Sequence, residues 1–188
     1  MRADAQRNVD AVRAAAAAVF ASAGVDAPMR EIAAAAGVGV GTVYRHFPKR
    51  SDLVKAVFRH EVDACADAAP ALATEHGPVE ALRRWLHRYA GFIGTNRGLA
   101  AALYSGDPAF DALPGYFEQR FRPVLTTLLD AAADAGEIRA DVDAMDLLYG
   151  VANLCLPSAV PGRTGRMVDL VVDGLRFRAG DTTPSGVS

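Results

Sequence analysis

Apolar positions along this chain recur at steps of three and four and never in a sustained alternation, so the pattern predicts helices and no strands. Val9, Val12, Ala16, Val19, Phe20 and Ala23 keep that spacing and predict an amphipathic helix over 4–22. It is closed at Gly24, a residue suited to a left-handed C-cap. Pro28, tolerated in a first turn, opens a short helix that stops at Gly37; another covers 39–47 and ends before Pro48. Ser51 is the expected N-cap of a fourth, continuing to about Ala69 before Pro70. Further helices are expected over 78–94, over 98–104, within 109–135, over 143–156 and over 163–178. Pro114 and Pro123 are expected to start, kink or break the one within 109–135. Residues 157–162 read as a loop, and the Gly/Thr/Pro/Ser-rich end from 179 as a frayed tail. The expected fold class is all-α, with about nine helices and no internal repeat.

Composition narrows the picture. Half of the 188 residues (51%) are hydrophobic and 22% are charged, which supplies a core and excludes wholesale disorder. Cys65 and Cys155 are too few for a disulfide scaffold or a four-cysteine zinc site. No apolar run approaches the ~18 residues of a membrane span. Arg2, Arg7 and Arg13, followed by Ala14–Ala21 and an Ala-Ser-Ala at 21–23, imitate a secretory signal. Asp4 and Asp10 sit where such a signal carries only positive charge, so the segment reads as a helix and the protein as cytoplasmic. Charge is split along the chain. Residues 1–60 hold nine Lys/Arg against five Asp/Glu, whereas residues 61–188 hold eleven against seventeen. A basic first third suits a polyanionic partner, although a solvated imbalance gives the same count.

Residues 28–47 concentrate the chemistry. Two short helices around a Gly-containing turn form a helix-turn-helix, whose second helix enters the DNA major groove. At 100° per residue, Val40, Val43, Tyr44 and Phe47 gather into one apolar stripe, and Gly41, Thr42, Arg45 and His46 fall opposite it. Ile32, Ala33 and Ala36 can supply the facing apolar surface. Thr, Arg and His are donors suited to phosphate oxygens and base edges. Lys49, Arg50, Lys55 and Arg59 add positive charge beside that helix. An ordinary helical hairpin with a solvated charged face has the same spacing.

The run Arg30-Glu31-Ile32-Ala33…Ala36-Gly37-Val38-Gly39…Gly41-Thr42-Val43-Tyr44-Arg45-His46-Phe47-Pro48 closely resembles the N-terminal domain of the TetR family of transcriptional regulators. The resemblance covers about residues 5–64; its most specific element is Gly-Thr-Val-Tyr-Arg-His-Phe. It implies a TetR-like fold, with a DNA-binding domain over 5–64 (helix-turn-helix 28–47), a C-terminal effector-binding and dimerisation domain over 65–180, and a tail over 181–188. It also implies a homodimeric repressor that reads a pseudo-palindromic operator in double-stranded DNA and is released by a small-molecule effector. Carried over residue by residue, Thr42, Tyr44, Arg45 and His46 contact DNA, and Arg50 binds phosphate from the start of the next helix. Gly41 and Lys49 adjoin them on the same surface. Where the family often has a DNA-contacting Lys, this chain has Val40, which can still meet a thymine methyl. On the helical wheel the Tyr44 ring falls on the inner side, with its hydroxyl in reach of a phosphate.

In the C-terminal half, Leu147–Leu156 is apolar nearly all round and must be covered on more than one face. Met167, Leu170, Val171, Gly174 and Leu175 form a stripe on the last helix. Leu148, Ala152, Met167, Leu170, Val171 and Gly174 are therefore the expected dimer interface, internal core being the alternative. Trp85, Tyr89 and Phe92 share one face of their helix, and Phe117 and Phe121 lie along another. With Tyr149 and Asn153 they are candidates for an apolar or aromatic effector, and they would equally make an ordinary core. The helix after Ser51 joins head to pocket and is the expected lever. No HExxH, glycine-rich phosphate loop or metal-spaced cluster occurs, so no enzyme, metal or cofactor is expected. Sequence-nonspecific DNA binding is the alternative function.

Overall fold

A computed structural model describes residues 2–99, 105–155 and 161–176, with side chains from residue 6. Among them are nine α-helices and no strand. These are α1 (Arg2–Ala23), α2 (Met29–Ala35), α3 (Val40–His46), α4 (Arg50–Ala66), α5 (Ala69–Glu75), α6 (Pro78–Thr95), α7 (Ala112–Asp134), α8 (Ala144–Leu154) and α9 (Arg163–Leu175). A 3₁₀ turn, Pro108–Phe110, precedes α7. Most of the helix expected at 98–104, most of the 157–162 loop and the tail lie outside the described residues.

Proline chemistry accounts for the main departure from the expected elements. The helix expected to run from Ser51 to Ala69 is two helices, α4 ending at Ala66 and α5 beginning at Ala69. Pro70 opens α5 from its first turn, where the missing N–H costs nothing, instead of closing the helix before it. Pro123, in contrast, sits inside α7 without ending it.

Two compact units make up the chain, residues 1–64 with 95–119 and residues 65–94 with 120–188. The segment 95–119 therefore clusters with the first unit and not with the rest of the expected 65–180 domain. In the first unit α1 packs on α2 and α3. Val12, Ala16 and Phe20 from α1 are buried, as are Ile32 and Ala33, Val43 and Phe47, and Leu53, Val54, Val57 and Phe58. One face of the signal-like segment is thus core, while Ala14, Ala18, Ala21 and Ala23 are exposed. Gly98 lies so close to α1 that a Cβ there would stand 2.7 Å from the Phe20 carbonyl oxygen. Tyr116 donates its hydroxyl to Asp63 (2.6 Å), and the Arg59 guanidinium lies 5.2 Å from the Tyr116 ring centroid.

The second unit is built on the inner face of α6, with Leu82, Trp85, Leu86 and Tyr89 fully buried alongside Phe121, Leu125 and Ala132 of α7. Its α8 and α9 pack together, Leu148 and Val151 buried on one, Val168 and Val172 on the other. Asp143 caps α8, accepting the N–H groups of Met145 (2.8 Å) and Asp146 (2.9 Å). These bonds, that from Asp146 foremost, hold its carboxyl below the usual value of 3.8.

Candidate nucleic-acid interface

The turn between α2 and α3 is a Schellman stop. Gly37, at φ +68°, donates its N–H to Ala34 O, and Val38 donates to Ala33 O. Gly39 then starts α3 by accepting the Thr42 N–H. The left-handed residue turns the chain between the two helices and leaves the last carbonyls of α2 satisfied.

Burial on α3 is lopsided. Val43 is fully buried and Phe47 nearly so, whereas Gly41 and Arg45 are exposed and Thr42 and His46 half-buried. Two assignments from the helical wheel are overturned. Val40 is 44% exposed and Tyr44 50%, so the Tyr44 ring points outward. The buried centre of this seven-residue helix lies between Val43 and Phe47, and two turns are too short for a stripe of four residues to be covered from end to end. The outward surface of α3 is consequently Val40, Gly41, Tyr44 and Arg45, with Thr42 and His46 at its margins.

The basic residues beyond α3 are more engaged than their spacing suggested. Lys49 is exposed, and its N–H is accepted by Asp52 (3.2 Å). Lys55 pairs with Asp52 (3.1 Å) and is the main reason the Asp52 carboxyl lies below its usual range. Arg59 covers Tyr116, and Arg50 departs furthest from expectation. It is half-buried, and its Nη1 donates to Val25 O (2.8 Å) and to Ala27 O, both in the α1–α2 turn. Expected to reach for phosphate, it is bonded to its own backbone.

Of the proposed effector residues, Trp85, Tyr89, Phe92 and Phe121 pack on one another in the second unit. Trp85 and Tyr89 are nearly parallel at 5.8 Å, and Phe121 meets all three edge-on at 5.4–5.7 Å. Trp85 Nε1 donates to Cys65 O (3.1 Å). These rings fill the core instead of walling an open space. Phe117 is buried in the first unit, and Tyr149 and Asn153 stand exposed on α8. An open cavity of about 290 Å³ does occur in the second unit between α5 and α7, lined mainly by Ala69, Pro70, Ala73, Val124, Thr127 and Leu128. No aromatic signal in the sequence pointed to it, because its walls are small side chains.

The expected dimer residues also separate. Leu148 is fully buried within its own chain, so it is core. Leu170 is 63% exposed and Gly174 exposed, while Ala152, Met167 and Val171 are half-buried. Tyr149 and Leu154 of α8 are exposed as well, and they were missed as interface candidates because α8 reads as apolar on every side. Arg83 of α6 ties α9 to α6 through Asp169 (2.9 Å) and Asp173 (2.6 Å), and His87 bonds Asp169 (2.8 Å).

Two short helices joined by a glycine turn, the second anchored by Val43 and Phe47 and turning a partly polar face outward, form a helix-turn-helix of a DNA-binding protein. Residues 12–57 match the model of the bacterial regulatory proteins of the tetR family, and residues 77–177 that of the SbtR-like transcriptional regulator C-terminal domain. The chain belongs to the TetR family of transcriptional regulators. It is 39% identical to a TetR transcriptional regulator from Streptomyces coelicolor, with 91% of this chain and 99% of that one covered and a TM-score of 0.74. A TetR regulatory protein from Mycobacterium vanbaalenii is 40% identical over 94% of this chain and 99% of its own, again with a TM-score of 0.74. The chain is also 34% identical to an HTH-type transcriptional repressor of Mycobacterium tuberculosis, over 74% of this chain and 69% of that one. With the HTH-type transcriptional repressor LfrR of Mycolicibacterium smegmatis it shares 45% identity over 58 residues, 31% of either chain. No helix among the described residues is long and apolar enough to cross a membrane.

Proposed function

We propose that this regulator works as a cytoplasmic homodimeric repressor, without catalytic activity, that reads a pseudo-palindromic operator through α3 of each protomer. The observation that carries this reading is the two-sided burial of α3. Val43 and Phe47 anchor the helix, and Val40, Gly41, Tyr44 and Arg45 face outward beside exposed Lys49. Arg45 offers a planar fork suited to guanine O6 and N7, and Val40 an apolar contact suited to a thymine methyl. Tyr44, with Thr42 and His46 at the margin, donates to phosphates that fix register. The relatives in Mycobacterium tuberculosis and Mycolicibacterium smegmatis are described as repressors, which supports the same direction here.

The exposed face of α8 and α9, made by Tyr149, Leu154, Leu170 and Gly174 with half-buried Ala152, Met167 and Val171, is the proposed twofold contact. The effector is a small, largely apolar molecule. The α5–α7 cavity is the better candidate for it, since room there requires no opening of the packed rings. An effector preferring the DNA-incompetent arrangement shifts the population off the operator by its differential affinity.

The test is selection of preferred duplexes from a random library, followed by affinities for the selected and a scrambled duplex across salt concentrations. A strong preference for the selected sequence supports the reading. Equal affinity for both replaces it with sequence-nonspecific DNA coating.

A further inference from the structure

Arg50 lies three residues after Phe47, where the helix-turn-helix ends, and its side chain reaches back to Val25 and Ala27, just before that motif begins. The backbone turn it meets is tight. Gly24 takes φ +81° and donates to Phe20 O, Ala27 donates to Gly24 O, and Pro28, which has no N–H, precedes α2. Ala27 and Met29 on either side of Pro28 are buried, so the turn is seated on the core. Two carbonyls at such a place need donors. The guanidinium supplies both from one nitrogen, Nη1, through charge-assisted bonds stronger than neutral ones. On the other side, Asp52 accepts the Lys49 N–H and fixes the first turn of α4, from which Arg50 extends.

We infer that Arg50 is a positioning residue, a non-covalent clasp that ties the two ends of the helix-turn-helix together and so holds α3 at its reading angle, and that it makes no phosphate contact. Its side chain closes a loop of 23 to 25 residues containing both α2 and α3. Without the clasp, the entry to α2 keeps its backbone turn and the burial of Ala27 and Met29 but loses its tie to α4, and the head must order itself further while binding. The loss then falls on sequence-selective binding, which needs α3 in register, and spares nonspecific attraction, which needs only charge.

The DNA arm of the test rests on the proposed reading of α3; the exchange arm does not. Full-length wild type, Arg50→Lys and Arg50→Gln are compared by backbone hydrogen exchange over 24–47. They are also compared by affinity for the library-selected duplex and for its scrambled counterpart across salt. Arg50→Lys keeps the charge but ends one bond short of the position of Nη1. It is expected to speed exchange over 24–47 and to lower the selected-to-scrambled affinity ratio about tenfold, the scale of one charge-assisted bond. Its affinity for the scrambled duplex stays unchanged. Arg50→Gln is expected to show the same losses with the wild-type salt slope. A phosphate contact predicts the reverse: Arg50→Gln lowers the slope by about 0.9, while Arg50→Lys keeps wild-type affinity and exchange. That result overturns the proposal, as does unchanged exchange in both variants. If the wild type itself prefers no sequence, the reading of α3 fails and exchange alone decides for or against the clasp.

Discussion

The described residues leave five large hydrophobic side chains well exposed, and all five fall in two places. Val40 and Tyr44 are on α3, and Tyr149, Leu154 and Leu170 are on the α8–α9 pair. Their surroundings differ. On α3 the apolar groups alternate with Gly41 and Arg45 and adjoin Lys49, so the surface mixes methyl contacts with cationic forks. On α8 they adjoin Gly150 and Asn153, small or neutral residues that let a second backbone approach, and on α9 Leu170 adjoins Gly174, with exposed Arg166 and Asp173 as a charged rim. The first mixture suits a major groove, whose base edges offer both acceptors and thymine methyls. The second suits another protein surface, since interface cores are depleted in charge. Exposed apolar area alone therefore does not distinguish the two partners; the charge and size of its neighbours do.

Substituting each face in turn tests that contrast. The largest effect is expected from Leu170→Glu, which sets a charge at the most exposed apolar position of α9. It should weaken self-association at least about 30-fold, the loss of ~2 kcal/mol typical of a central interface anchor, and take operator binding down with it. Sedimentation equilibrium beside operator titration reads both. A dimer that persists unweakened removes α9 from the interface.

Arg45→Ala comes next. It should cost about 1–3 kcal/mol of operator affinity if the guanidinium pairs with guanine, and it should leave the dimer intact because Arg45 faces away from the core. An unchanged operator titration takes Arg45 off the reading surface. Smaller again is the methyl contact of Val40. Replacing operator thymines one at a time with deoxyuridine should identify one per half-site whose methyl matters by about 0.8 kcal/mol, the value of one buried methyl-sized group. The Val40→Ala variant should be indifferent to that replacement. If wild type and variant respond alike, Val40 reads nothing.

The mildest expected effect is on pH dependence. The Asp143 carboxyl is held below 3.8 by the backbone N–H groups of Asp146 and Met145, and that of Asp169 by hydrogen bonds from His87 and then Arg83. A carboxyl depressed in the folded state contributes stability that is complete above its unfolded value and is lost as pH falls through the folded one. Thermal midpoints should therefore decline as pH drops below about 3.8. The decline should be shallower in Asp143→Ala and Asp169→Asn, each already less stable at neutral pH. Parallel declines in all three proteins would show that other carboxylates carry the acid sensitivity.

Helical periodicity, the Gly37 turn and the 28–47 motif were legible in the sequence, because each depends on contacts between near neighbours: a 3.6-residue repeat, a left-handed glycine, a proline without an N–H. Val43 and Phe47 as anchors and Arg45 as an outward group follow from the same local rule. The rest depended on distant residues. A helical wheel treats every turn as equally covered, so it could not foresee that Val40 and Tyr44 are left uncovered on a helix of seven residues. Nor could it tell that Leu148 is core while Leu170, on the neighbouring helix, faces out. The aromatic residues left pocket and core both open and became mutual packing, whereas the cavity formed among aliphatic side chains that carry no signal. Arg50 is the clearest case. Residue type and position suggested phosphate, but the side chain bonds carbonyls 23 and 25 residues earlier in the chain. Only the folded path of the backbone brings those acceptors within its reach.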